Sequence, residues 1–232
     1  MRFEVEKAEM LAQKFRADCG LGYSVAVNVK SLLRKFNVLT LYRPLSEHAC
    51  GLSLKSVKGE MFMLINSNDS RGRQHFTIAH EFYHLFYDEH PTPHICSKDG
   101  NSKTERQANL FASALLMPQS GVLTMLETKD VGGKELGIEK VLRMEQYFGV
   151  SRTTMLLRLK DLGIINDKSY QQLKSIPVIQ SAKDYGYDLS LYKSGNEKLV
   201  IGDYGEKARL LFESSRISEG HYNELIDWLN DE

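Results

Sequence analysis

The segment Arg71–Tyr87 reads RGRQHFTIAHEFYHLFY, and the helix it encodes organises the chain around it. Phe76, Ala79, Phe82, Tyr83 and Phe86 recur at helical spacing, which predicts a buried core helix over about Arg71 to Tyr87. Ser67-Asn68-Asp69-Ser70 supplies capping side chains just before it. The same helix carries His80-Glu81-Phe82-Tyr83-His84, an HExxH pattern. Residues four apart share one helix face, so His80 and His84 can reach a single ion. Glu81 lies about 100° round from His80, near enough to hold a water without ligating the metal. Two imidazoles and a carboxylate on a core helix are costly unless something satisfies them. A metal ion does so; the plainer alternative is surface-facing or merely hydrogen-bonded histidines.

Two histidines leave a catalytic ion short of a ligand. His90 sits six residues after His84, the offset of HExxHxxGxxH, but Tyr87 stands where that pattern has glycine. Glu105 is favoured. It opens the predicted helix Thr104–Met117, in which Ala108 and Ala112 share its side and permit close packing on the HExxH helix. A His₂Glu set is the thermolysin-like one; the alternative for Glu105 is an exposed first-turn acid favoured by the helix dipole. Asn109, one turn on, is placed to accept a hydrogen bond from the outer nitrogen of a ligand histidine. Tyr87 is a candidate donor to a tetrahedral oxyanion, with a packed core tyrosine as its competitor. His75 and His94 are weaker candidates, and His90, His94 and Cys96 lack the fourth ligand of a separate metal site.

The chain has 232 residues, 42% apolar and 26% charged, with lysine plus arginine equal to aspartate plus glutamate at 30 each. That balance gives no electrostatic reason to expect nucleic acid or an anionic membrane as main partner. No apolar run approaches the roughly 18 residues of a membrane span, and the start does not read as a signal peptide. Cys19, Cys50 and Cys96 are odd in number and unpaired in spacing, so reduced thiols in a cytoplasmic protein are expected.

Helices are expected over Phe3–Phe15 and Val29–Phe36, then strands at Val38–Tyr42, Cys50–Val57 and Met61–Asn66. These strands read as a small antiparallel sheet, with Lys58-Gly59 turning between the last two; Met61–Asn66 is either an internal strand or an edge for a substrate peptide. Ile138–Phe148, Gly149-Val150-Ser151 and Arg152–Leu162 read as a helix-turn-helix-like pair. Five cations there (Lys140, Arg143, Arg152, Arg158, Lys160) face three acids, too few for a strong DNA module, so packing or substrate docking is preferred. Short strands near Tyr187–Tyr192 and Lys198–Ile201 and helices at Glu206–Ser214 and Glu219–Leu229 complete the chain. The division expected is 1–128 peptidase domain, 129–170 helical module and 171–232 small C-terminal element.

With Arg73, Phe76, Thr77 and Ala79 before HExxH, then Glu105-x-x-Ala108-Asn109-x-Phe111-Ala112 and Leu115-Leu116-Met117-Pro118, the chain resembles the ImmA/IrrE family of metallopeptidases. The resemblance covers roughly residues 20 to 120, and extends more weakly to Leu162. It implies an α+β, zincin-like domain, zinc held by His80, His84 and Glu105, and Glu81 as the base that activates water. It also implies, as substrate, a helix-turn-helix repressor encoded nearby, with a role in transcription regulation or stress response. The family commonly has glycine where this chain has Tyr83, so a reshaped groove is expected. Two alternatives stand: a transcription-linked DNA- or protein-binding regulator with structural zinc, and a toxin–antitoxin component that acts without turnover.

Overall fold

The computed structural model describes residues 2–88, 94–97, 102–127 and 136–230. In chain order the elements are α1 (Arg2–Asp18), α2 (Val29–Lys35), β1 (Val38–Arg43), β2 (Ala49–Lys55), β3 (Met61–Asn66), α3 (Arg71–Tyr87), β4 (His94–Ser97) and α4 (Lys103–Leu116). There follow α5 (Gln119–Thr124), α6 (Ile138–Phe148), α7 (Arg152–Asp161), α8 (Asp167–Ser175), α9 (Val178–Asp184), β5 (Val200–Ile201), α10 (Tyr204–Glu213) and α11 (Glu219–Asn230). The fold is α+β, as expected, and the HExxH helix has the predicted bounds.

The sheet differs from expectation in two respects: it is mixed, and β4 and the C-terminal β5 join the three strands expected. Its order is β4-β2-β3-β1-β5, with β1 and β3 parallel and the other pairs antiparallel. β3, sequence MFMLIN, is the most continuously apolar strand and takes the centre. It lies between β1 and β2, so the turn at Gly59 (φ +88°) pairs it with β2 while its direction matches β1. Periodicity along one strand carries no record of its neighbour's direction. Asn66, at the end of β3, fixes the crossing loop: its Oδ1 accepts from Leu45 N at 3.0 Å and its Nδ2 donates to Ala49 O at 2.7 Å.

α3 packs between this sheet and α4. Gly51 on β2 makes that approach possible, because a Cβ there would lie 2.8 Å from both Leu64 O and Thr77 Cγ2. The start of α3 is held by more than its cap. Ser70 makes no side-chain capping bond; instead the buried Gln74 donates to Asp69 O and Gly195 O, each at 2.9 Å, and accepts from Asn196 Nδ2 at 2.7 Å. The C-terminal segment is thus tied to the HExxH helix. Tyr187–Tyr192, expected as a strand, instead contains a 3-10 turn at Ser190–Tyr192. There Tyr192 Oη donates to the buried Glu145 at 2.8 Å, so the segment is pinned by a side chain and not by a ladder.

α6 and α7 form the expected pair, joined through Gly149 in the left-handed region (φ +66°). Their apolar faces, including Phe148, Met155, Leu156 and Leu159, join the same hydrophobic core as α3 and β3. Arg152 is paired with Glu145 inside it and donates to Ser181 Oγ at 3.1 Å. Arg158 donates to Met117 O at the end of α4 and pairs with Glu9 at 2.5 Å. Arg16 similarly bonds Leu115 O at 2.6 Å. Two buried guanidiniums therefore satisfy carbonyls that α4 leaves open at its C-terminus.

Gly72 sets the spacing of α3 and α7. A Cβ there would fall 2.7 Å from Ser151 N and 2.9 Å from Val150 C, both backbone atoms. In an ordinary helix Gly→Ala stabilises by about 1 kcal/mol. Here the overlap outweighs that gain. Gly72→Ala is expected to lower stability by about 1–2 kcal/mol in urea titration; a more stable variant would show that the α3–α7 contact is loose.

Candidate metal centre

α3 carries His80 and His84 on the face turned toward α4, and α4 brings Glu105 to them from its first turn. Ser102 caps that helix by accepting from Glu105 N at 3.1 Å. Ala108 and Ala112 are fully buried, the small residues that let the two helices approach. All three candidate ligands are buried, His80 to 1%, His84 to 4% and Glu105 to 8% exposure.

The three side chains converge. His80 Nε2 lies 3.1 Å from His84 Nε2, and each stands 3.4 Å from an oxygen of Glu105. The outer nitrogens are committed elsewhere: His80 Nδ1 donates to Asn109 Oδ1 at 2.9 Å, and His84 Nδ1 to Asp88 Oδ2 at 2.7 Å. With acceptors on both Nδ1–H groups, neutral rings turn their Nε2 lone pairs inward. Two lone pairs and a carboxylate facing one another repel unless a cation lies among them. A proton bridges one pair; a divalent ion serves all three. Ligand arms of about 2.0–2.1 Å in tetrahedral geometry put neighbouring donor atoms about 3.3 Å apart. The observed spacings of 3.1 and 3.4 Å match that edge length, so the donor set fits a zinc-like ion.

Glu81 is fully buried and accepts a hydrogen bond from Ser53 Oγ on β2 at 2.5 Å, which fixes its carboxylate from the sheet side. A groove of about 340 Å³ opens beside His80 and Glu105. One wall is Cys50, Arg73 and Cys96, and the other is Thr153, Thr154 and Leu157 of α7. β4 forms one edge of the sheet among the described residues and β5 the other, and β3 is internal.

The structure thus brings His80, Glu81, His84, Glu105 and Asn109 together. Tyr87 is placed elsewhere. Its ring packs on Tyr83 and Phe111, and burial, with Asp18 nearby, pushes its hydroxyl up to about 12. The packed-core reading of Tyr87 is the one observed, because α1 and α4 close over that end of α3. Tyr83 also turns away from the groove, donating to Gln107 Oε1 at 2.8 Å, so its ring does not narrow the cleft. His75 donates to Gly149 O at 2.8 Å and is structural, while His90 lies outside the described residues. Asp88 and Ser53 went unrecognised in the sequence. Asp88 carried a signal, its i,i+4 spacing from His84; Ser53 carried none, since its partner comes through the sheet.

The profile of the IrrE N-terminal-like domain (peptidase M78) matches residues 33–160. No match was found among curated proteins. A solved structure of a Mycobacterium tuberculosis transcriptional regulator aligns with 16% identity and a TM-score of 0.44, over 67% of this chain. The aligned region spans 46% of that protein's length. No helix among the described residues is long and apolar enough to cross a membrane.

Removing the groups that orient the imidazoles tests the geometry. Asn109→Ala and Asp88→Ala are each expected to weaken zinc binding by about 10- to 100-fold, read by competition with a chromogenic chelator. Unchanged affinity in both would mean that the rings are oriented by something else.

Proposed function

Because the chain belongs to the IrrE N-terminal-like (peptidase M78) family, we propose that it is a zinc-dependent endopeptidase with His80, His84 and Glu105 as metal ligands and Glu81 as general base. The observation that carries this reading is the inward convergence of two Nε2 lone pairs and a carboxylate beside an open groove. Zinc bound there would polarise the scissile carbonyl and the attacking water. Glu81, one residue from His80 and held by Ser53, takes the proton from that water and delivers it to the leaving amine.

The groove supports a peptide substrate. It is lined on one side by the sheet's edge region and on the other by α7, and an extended chain alongside β4 could add to the sheet. The substrate proposed is a regulatory protein, in the first place a helix-turn-helix repressor encoded nearby, acted on in the cytoplasm. DNA is not proposed as main partner. Arg152 and Arg158, two of the five cations on the helical pair, are spent inside the core, which supports packing and docking as the role of that pair. The divisions at 128 and 170 are proposed as functional ones: metal centre first, a groove wall second, and third a C-terminal element that closes the sheet through β5.

Purified protein is expected to hold about one zinc per chain, with Glu81→Gln keeping the metal and losing cleavage of the co-encoded repressor. Normal cleavage by that variant would remove Glu81 from the base role. Ser53→Ala should retain zinc and lower kcat by about tenfold or more, whereas Glu105→Ala should release the ion and His90→Ala should not. Metal analysis separates these outcomes from activity.

A further inference from the structure

Cys50 and Cys96 are nucleophilic side chains of the groove wall that hydrolysis does not use. They come from neighbouring antiparallel strands, in which Gly51 faces Cys96 and Ala49 faces Ser97. Cys50 is therefore the extra residue of a β-bulge, and Cys50 and Gly51 together oppose Cys96. Cys50 thus adjoins the residue that faces Cys96, across strands about 4.7–4.9 Å apart, a spacing of the order that a disulfide spans. The two thiols are near enough to interact, and Arg73 Nη2 donates to Cys50 Sγ at 3.4 Å.

The environment distinguishes the two sulfurs. The hydrogen bond from Cys96 and the Arg73 guanidinium, against the opposing effect of burial, hold the Cys50 thiol below its usual range. Cys19 provides an internal contrast: it sits at the end of α1 in the core, raised by burial, and does not line the groove. A small oxidant entering the groove meets Cys50 and Cys96 and not Cys19.

We propose that Cys50 and Cys96 form a peroxide-oxidisable pair that closes to a disulfide between β2 and β4 at the groove wall. The Cys50 sulfur attacks one oxygen of hydrogen peroxide, the O–O bond breaks, and the products are a sulfenic acid and water. The Cys96 sulfur then attacks the Cys50 sulfur, the S–O bond breaks, the thiol proton leaves with the hydroxyl as a second water, and the S–S bond remains. Two thiols are oxidised and one peroxide is reduced. Cys96 also lies beside His80 and Glu81, so the linkage ties the edge strand covalently next to the metal centre. Such a pair suits a compartment in which disulfides are transient and signalling.

The test uses the full chain, zinc-loaded and zinc-free, and reads thiols, so it is independent of peptidase activity. After hydrogen peroxide, native protein should lose two of its three thiols and yield one cross-linked peptide joining residues 50 and 96. Cys19→Ser should form the same cross-link. Cys50→Ser should oxidise Cys96 about tenfold more slowly or less. Cys96→Ser should leave a sulfenic acid at Cys50 that a cyclic diketone traps. Retention of all three thiols, a cross-link through Cys19, or undiminished oxidation of Cys96 in Cys50→Ser would overturn the proposal. The diketone adduct on Cys96→Ser decides the matter if Cys50→Ser does not fold.

Discussion

Two imidazole nitrogens that face each other across 3.1 Å, each with its outer N–H already given away, impose a demand on everything around them. The arrangement is unfavourable by itself and favourable around a cation. To keep it, the chain must hold two mid-helix side chains and one from another helix's first turn in fixed positions. Buried groups with locked rotamers do this, and flexible loops do not. α3 is consequently enclosed by sheet, α4 and the helical pair, and its glycine and alanine neighbours are those that allow such closeness.

The same logic explains why so many polar side chains are buried near α3. Gln74, Arg16, Arg152 and Arg158 are all nearly inaccessible, and each satisfies carbonyls or a carboxylate that the packing removes from water. Their role is to let helix ends and loops be interior. The groove gains rigidity from this, since its α7 wall is anchored to α4 by Arg158 and to α3 through the turn at Gly149.

The convergence of His80, Glu81, His84, Glu105 and Asn109 was legible in the sequence because its parts are local. His80, Glu81 and His84 share one helix face, and Glu105, Ala108 and Asn109 share one on a second helix, so 3.6-residue periodicity placed both sets. What escaped was set by neighbours distant in sequence. The direction of β1 against β3 follows from a strand inserted between β1 and β2. The Ser53–Glu81 contact crosses from sheet to helix, and the short helices α5, α8 and α9 lack a long apolar period. Tyr87 shows the limit of face arguments: it lies on the correct side of α3, yet aromatic packing with Phe111 claims it.

The pairing of β5 with β1 has a practical side. Thr40 and Leu41 on β1 face Ile201 and Val200, so a strand from near the end of the chain completes a sheet begun before residue 40. A version trimmed after the helical pair would leave β1 with a bare row of amides and carbonyls on a largely apolar strand. Such a row invites another copy to pair with it. Fragments cut at 170 would therefore be prone to self-association, and the short tail strand acts as a guard on the edge of the sheet opposite β4.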